Sequence, residues 1–220
     1  MFTSAPSSLC ILRLSAIGDV CNTIATVQAI QKQWPDTHIT WITGKLEAQL
    51  LQAIDGVEVI VFDKKAGLDG YKSLWKQLKG RKFDALLHMQ YAIRASVATL
   101  GIKAKYKLGF SSDRSQDFQT LFTNVKVPSP SSLHVADGLM AFAHQIGVPQ
   151  SELTWSLSYS EQDALWAETK ISETKVSKTQ SQADKPNLLL VPGASKAYKN
   201  WNAEGYVDVI NHAREKGWNV

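Results

Sequence analysis

Two short constellations in this chain of 220 residues carry side chains that can bind or react. The first is Ser15-Ala16-Ile17-Gly18-Asp19-Val20, a turn of small residues with one carboxylate, directly after the apolar run Leu9-Cys10-Ile11-Leu12-Arg13-Leu14. Where the carboxyl end of a parallel strand meets a helix N-terminus, open α/β sheets bind their ligands. Asp19 is then either a ligand-facing carboxylate or one that only caps the helix and complements its dipole. The second constellation is Pro192-Gly193-Ala194-Ser195, followed by Lys196 and Lys199, between the apolar run 187–191 and a helical pattern. Free backbone N–H groups at a strand-to-helix turn make an anion site. Ser195 adds a hydroxyl there, and Lys199 or Lys196 a point charge suited to a diphosphate. A plain turn with surface lysines is the alternative.

Several chemistries are disfavoured at once. Residues 15–22 contain Gly18 alone, not the G-x-G-x-x-G of a dinucleotide turn, and the chain has no G-x-x-x-x-G-K-[ST] loop. No cluster with metal-ligand spacing stands out. A net charge of +4 suits anionic partners, but an ordinary surface explains it as well. Cys10 and Cys21 are the only cysteines, so no disulfide framework is indicated and a reducing compartment fits. Residues 1–8 lack a basic n-region, and Arg13 and Asp19 interrupt the apolar stretch that follows. Neither a cleavable signal nor a spanning helix is expected, and the cytoplasm is the expected location.

The elements that must position these residues follow from hydrophobic period. Strands are expected at 9–14, 38–43, 57–62, 83–88 and 106–110, alternating with helices at 21–34 (stopped by Pro35), 46–54, 70–78 and 92–100. That rhythm implies βαβ units and a parallel, Rossmann-like sheet. The polar connection 111–124, with Asp113, Arg114 and Asp117, is either a binding loop or a solvated excursion. A short run at 125–127 and an amphipathic helix at 133–146 complete a first domain, residues 1–148. A linker begins at Gly147-Val148-Pro149, and residues 149–186 hold a helix at 161–171 and a polar run, 172–186, expected to be a mobile loop. A buried strand at 187–191, a helix at about 203–216 and the opening of another strand at 218–220 begin a second domain, residues 187–220, which is expected to be cut short.

Taken together, three segments carry a resemblance. LRLSAIGDVCNTIATVQAIQKQWP with ITWITG, then FDALLHMQYAIRASVATLGIKAKYKLGF, then LLLVPGASKAYKNWNAEGY resemble the ADP-heptose:lipopolysaccharide heptosyltransferases, glycosyltransferase family 9. The resemblance implies the two-domain GT-B architecture, with an acceptor-binding Rossmann-like domain first and the beginning of an incomplete donor-binding one after it. The family's further acidic and glycine-rich donor segments have no match in this chain.

What the resemblance implies chemically is inverting transfer of heptose from ADP-heptose, a donor substrate rather than a cofactor, with no metal. By position Asp19 matches the catalytic carboxylate, which would take the proton of the attacking sugar hydroxyl. Gly193, Ala194, Ser195 and Lys199 match the donor-phosphate segment and would stabilise the departing ADP. Arg13, Ser15 and Gly18 match the loop around the carboxylate, and Arg94 matches a basic acceptor-binding position. Arg114 is a further candidate for gripping carboxylate or phosphate, with surface solvation as its alternative. His88 reads as a strand-end histidine rather than a catalyst. The implied acceptor is the phosphorylated Kdo–lipid A inner core of lipopolysaccharide at the cytoplasmic face of the inner membrane, with no nucleic-acid partner. The alternatives are an inactive fragment or a non-catalytic acceptor-binding module of the same fold.

Overall fold

The computed structural model describes the chain except residues 116–117, 133, 150–151, 176–184 and 195, and the side chains of 173–175. Six strands, β1 (Ser8–Leu12), β2 (His38–Thr43), β3 (Val57–Val61), β4 (Phe83–His88), β5 (Ala104–Phe110) and β6 (Val125–Val127), form one sheet in the order β3-β2-β1-β4-β5-β6. Every pairing is parallel. The expected Rossmann-like α/β sheet is therefore present. The chain builds outward from β1 to β3, then returns to β1's other side to lay down β4, so the strand order reverses between β1 and β4.

Alternation of side chains assigns the two faces. Leu9 and Ile11, Ile39 and Trp41, Ala85 and Leu87, and Leu108 and Phe110 belong to one cluster, with α1 (Ile17–Gln33) and α5 (Val135–Ile146) supplying its outer layer. On α1 the buried residues Val20, Ile24, Val27 and Ile30 recur at the three- and four-residue steps of one helix face. Cys10, Leu12, Ile42, Ile60 and Leu86 face the other way, beneath α3 (Gly67–Gln77) and α4 (Ile93–Ala98). Helix α2 (Lys45–Leu51) follows β2 directly. Gly147 ends α5 with φ +118, and a side chain there would strike the backbone of Phe2, whose N–H donates to Ile146.

Contacts divide the chain into two compact units, Met1–Ser158 and Tyr159–Val220. Residues 155–158, within the stretch read from sequence as linker, return to the first unit: Trp155 Nε1 donates to the Cys21 carbonyl at 2.8 Å and Ser158 N to that of Ala53 at 3.0 Å. The second unit contains α6 (Glu161–Lys175) and α7 (Ala203–Glu215). Helix α6 absorbs the first residues of the polar run expected to be a loop, and 176–184 lie outside the described residues. Ser160 and Asp163 start it with a reciprocal cap.

The buried strand expected at 187–191 is not formed. Asn187 makes one parallel bridge to Asn219, which is also all that the strand opening at 218–220 amounts to, and Leu189 and Val191 are 85% and 78% exposed. A parallel strand is buried by neighbours on both sides and layers on both faces, and the described residues supply a single bridging residue. Among the described residues no helix is long and apolar enough to cross a membrane.

Phe142 is fully buried in α5 and meets the Phe110 ring edge-on at 4.9 Å between centroids. Phe142→Ala is expected to destabilise the first unit by about 3–5 kcal/mol, read from urea unfolding by near-UV circular dichroism. A loss below about 1 kcal/mol would mean that this ring does not join the sheet to α5.

Candidate active site

The site is built where β1 ends. Arg13 and Leu14 leave the regular ladder but stay tied to β2, Arg13 N donating to Ile42 (3.2 Å) and Gly44 N to Leu14 (3.0 Å). On the other side, Gln90, two residues past β4, accepts the N–H groups of Leu14 and Ser15 on its Oε1 at 3.1 and 3.3 Å. Helix α1 then begins at Ile17, four residues earlier than its periodicity suggests, with Ala16 as its N-cap. Alanine has no side-chain acceptor, so Asp19, inside the first turn, reaches back to the Ala16 N–H at 3.2 Å.

Arg13 fixes the other coordinate of that carboxylate. Its guanidinium forms an ion pair with Asp19 Oδ2 and donates from Nη1 to the Met89 carbonyl. Only 6% of the Arg13 side chain is exposed, against 38% for Asp19. Arg13, expected among the acceptor-binding residues, is thus a buried group that positions Asp19. Oδ2 of Asp19 takes both contacts, and Oδ1 has no hydrogen bond among the described residues. Gly18 beside it is exposed, with open space where a Cβ would stand, so no protein neighbour requires glycine there.

The other expected acceptor residues lie on the same edge of the sheet. Arg94 is exposed in the first turn of α4, where its carbonyl accepts from Tyr71 Oη at 3.2 Å. Arg114 follows β5, half-buried, with its guanidinium 5.7 Å from the Phe110 ring centre and against Gly138 of α5, where any Cβ would collide with it. Beside it, hydrogen bonds from Ser111 and Ser129 hold the Asp113 carboxyl below its ordinary range. Asp117 lies outside the described residues.

Sequence reasoning missed Gln90 and Gln119. Gln119 is fully buried: its amide donates to the carbonyls of His88 (2.8 Å) and Gln90 (3.0 Å) and its oxygen accepts Phe110 N (3.1 Å). Two amides thereby tie the ends of β1, β4 and β5 together. For Gln90 the position just past a strand was the available signal; for Gln119 there was none. His88, the last residue of β4, is buried, with Nε2 3.0 Å from Ser96 Oγ.

In the second unit the expected anion turn has a different setting. Gly193 takes φ +115, as only glycine does readily, and Ala194 N donates to Asn200 Oδ1 at 2.5 Å. Ser195 lies outside the described residues. Lys199 ends a 3-10 turn, Ala197–Lys199, and the Lys196 ammonium stands 5.7 Å from the Tyr198 ring centre. Helix α7 starts only at Ala203, and Asn202 Oδ1 already takes the Gly205 N–H of its first turn at 2.6 Å. Gly193 and Ala194 therefore do not open a helix, and the two lysines are the charge this segment offers. Among the described residues no group of His, Cys, Asp or Glu side chains is placed to hold a metal ion.

Residues 71–220 match the profile of glycosyltransferase family 9 (heptosyltransferase). The chain belongs to glycosyltransferase family 9. Across all 220 residues it is 50% identical to the lipopolysaccharide core heptosyltransferase OpsX of Haemophilus influenzae, and it spans 60% of that protein's length. The fold of this family 9 chain is also that of the glycosyl transferase family 9 protein from Veillonella parvula, at a TM-score of 0.78 and 20% identity, covering 96% of this chain and 60% of that one. The Escherichia coli heptosyltransferase WaaC, solved with ADP, gives a TM-score of 0.70 and 17% identity over 96% of this chain and 66% of its own.

Two buried or bonded groups near the sheet give the fold a defined acid response. Burial pushes His88 down to about 3 from the ordinary 6.5. The unfolded chain then binds this proton first, so the stability linked to neutral His88 is whole above pH 6.5 and is lost as pH falls from there toward 3, at up to about 1.4 kcal/mol per pH unit. Hydrogen bonding from Arg81 holds Glu58 at about 2 rather than 4.5. Its contribution is present above pH 4.5 and is lost only below that. Urea midpoints at about pH 7, 6 and 5 therefore isolate His88, and His88→Asn should flatten the slope across that window.

Proposed function

We propose that this chain carries the acceptor-binding half, and the opening of the donor-binding half, of a heptosyltransferase that moves heptose from ADP-heptose to the Kdo–lipid A inner core of lipopolysaccharide. In this reading the protein works at the cytoplasmic face of the inner membrane. The observation that carries it is the Asp19 carboxylate: half-exposed, at the sheet's reversal, with one oxygen fixed and the other unspent. The identity to OpsX, a lipopolysaccharide core heptosyltransferase, supports the reaction class.

The chemistry follows from those two oxygens. A sugar hydroxyl is a weak nucleophile until its proton is removed as the new bond forms. Asp19 Oδ1 takes that proton while the acceptor oxygen bonds to the anomeric carbon and the bond from that carbon to the ADP oxygen breaks, with inversion. Arg13 and the Ala16 N–H hold the carboxylate through Oδ2, so the free oxygen is presented in one orientation. Charge develops on the departing diphosphate, and Lys199, with Lys196, stands in the segment that would receive it. Arg94 and Arg114 supply bidentate donors for the acceptor's carboxylates and phosphates.

The test is transfer of heptose from ADP-heptose to heptose-deficient lipopolysaccharide by the purified chain, with acceptor binding measured alongside. Asp19→Asn preserves shape and is expected to lower kcat by about 10²–10⁴ with acceptor affinity little changed. Transfer by Asp19→Asn at the unsubstituted rate would overturn the base assignment. Acceptor binding without any transfer would establish the binding-module alternative, which the exposure of Leu189 and Val191 favours.

A further inference from the structure

One carboxylate of the first unit is buried without a partner. Glu47, in the first turn of α2, is only 6% exposed, and its side chain has no hydrogen bond or ion pair among the described residues. Buried charges are ordinarily paired. A glutamate at this place in a helix commonly reaches back to the N–H of the capping residue. Here that residue is Gly44, whose N–H donates to the Leu14 carbonyl at 3.0 Å instead. The Glu47 carboxylate lies against Gly44, where any Cβ would strike it. Glycine thus makes room for a charge that nothing among the described residues neutralises.

Glu47 lines a hollow of about 530 Å³ at the carboxyl ends of β2 and β3, with buried Phe62 among its walls. Lys45, Lys64 and Lys65 also line it, all exposed and none with an ion-pair partner among the described residues. Lys64 and Lys65 are held in a 3-10 turn, Lys64–Ala66, which Asp63 starts by accepting Lys65 N on Oδ1 at 2.8 Å. Phe62 N donates to Thr43 at 2.8 Å, and Gly44 N to Leu14, so the walls are tied by backbone bonds to the end of β1. The hollow therefore stands on the edge of the sheet that carries Asp19. It keeps its charges apart, a recessed negative one and a positive rim.

We propose that this hollow binds a phosphate ester bearing a primary ammonium, either an aminated sugar phosphate or an aminoalkyl phosphate. The lysines take the phosphate oxygens as point charges. The ligand's ammonium donates to Glu47 and supplies the opposite charge that a buried carboxylate requires. A plain phosphate or carboxylate fits less well, because Glu47 meets it as a like charge. A polyol phosphate offers hydroxyls but leaves the buried charge unneutralised. A metal ion fits no better, since no third acidic, histidine or cysteine side chain joins Glu47 and Asp63 among the described residues. An acceptor carrying such a substituent would gain an anchor on the edge where Asp19 stands. The proposal itself goes beyond heptosyl transfer and is measured with soluble probes.

Titration of the full chain, followed by amide NMR shifts, tests it with matched probes. Glucosamine 6-phosphate is expected to bind at least about fivefold tighter than glucose 6-phosphate, which has a hydroxyl in place of the ammonium. Lysines alone would favour the more negative glucose 6-phosphate, so the sign of the difference decides. O-phosphoethanolamine should exceed 2-hydroxyethyl phosphate in the same way, and the tighter aminated probe tells whether the ammonium stands on a sugar or an alkyl chain. Glu47→Gln should erase the preference without weakening glucose 6-phosphate. Gly44→Ala, which displaces the carboxylate and keeps its charge, should reduce it. Lys64→Ala with Lys65→Ala should weaken both members of each pair several-fold. Unchanged circular dichroism and urea midpoints establish that these variants fold. Asp19→Asn should leave every affinity unchanged, which separates this proposal from the base assignment. Equal binding of the aminated and hydroxylated probes overturns the proposal. So does a preference that survives Glu47→Gln, or no saturable binding of any probe.

Discussion

A buried guanidinium organises this protein. Arg13 lies in the seam between β1 and β4, where a charge taken out of water must be paired and hydrogen-bonded or the fold loses several kcal/mol. Its partners are the Met89 carbonyl just past β4 and the Asp19 carboxylate in the first turn of α1. Pairing this side chain through its two Nη atoms, although its buried Nε finds no partner, therefore locks the end of one strand, the approach to the next and the start of a helix into a single arrangement. The exposed carboxylate is a consequence of that demand: it is the half of the pair that reaches the surface. Removing Asp19 would strand the Arg13 guanidinium.

The reversal of strand order gives the pair its location. At that point α1 and α4 leave on opposite sides of the sheet, the position at which open parallel sheets form a crevice. Gln90 and Gln119 close its floor by consuming backbone groups that the ladder leaves unpaired. An unsatisfied buried N–H or carbonyl costs a few kcal/mol, so these amides hold the loop ends of β1, β4 and β5 at fixed spacing. Arg114 is held by a different device, a glycine in α5 whose missing side chain leaves room for a guanidinium.

Much of this was legible in the sequence, for physical reasons that also mark the limit. The bounds of β2, β4 and β6 are those of the apolar runs 38–43, 83–88 and 125–127. Central parallel strands are buried on both faces, and their composition has to show it. Helix α1 begins earlier than expected because its cap comes from inside, through Asp19, with no Ser, Thr or Asn at position 16 to announce it. Run 187–191 has the composition of a buried strand, but burial is conferred by neighbours rather than by composition. Gln119 was invisible because its partners lie 29 and 31 residues away. Arg13 was visible as a cation but not as a buried one, since its burial depends on β4 arriving beside it.

The chain contains a second arginine–carboxylate pair, and the contrast between them explains why Asp19 keeps an oxygen free. Arg81 donates to both oxygens of Glu58, at 2.8 and 2.5 Å, while Thr40 and His38 also contact Oε2 at 2.8 and 3.0 Å. With each oxygen occupied by a donor, that carboxylate is driven to about 2 and serves as a strap across β2 and β3. Asp19 meets its arginine through one oxygen only, and its other contact falls on the same atom. The helix turn imposes this asymmetry, because a carboxylate bent back to cap its own N-terminus presents a single edge to Arg13. What remains is an anchored carboxylate with one oxygen uncommitted, the minimum needed to receive a proton without losing position.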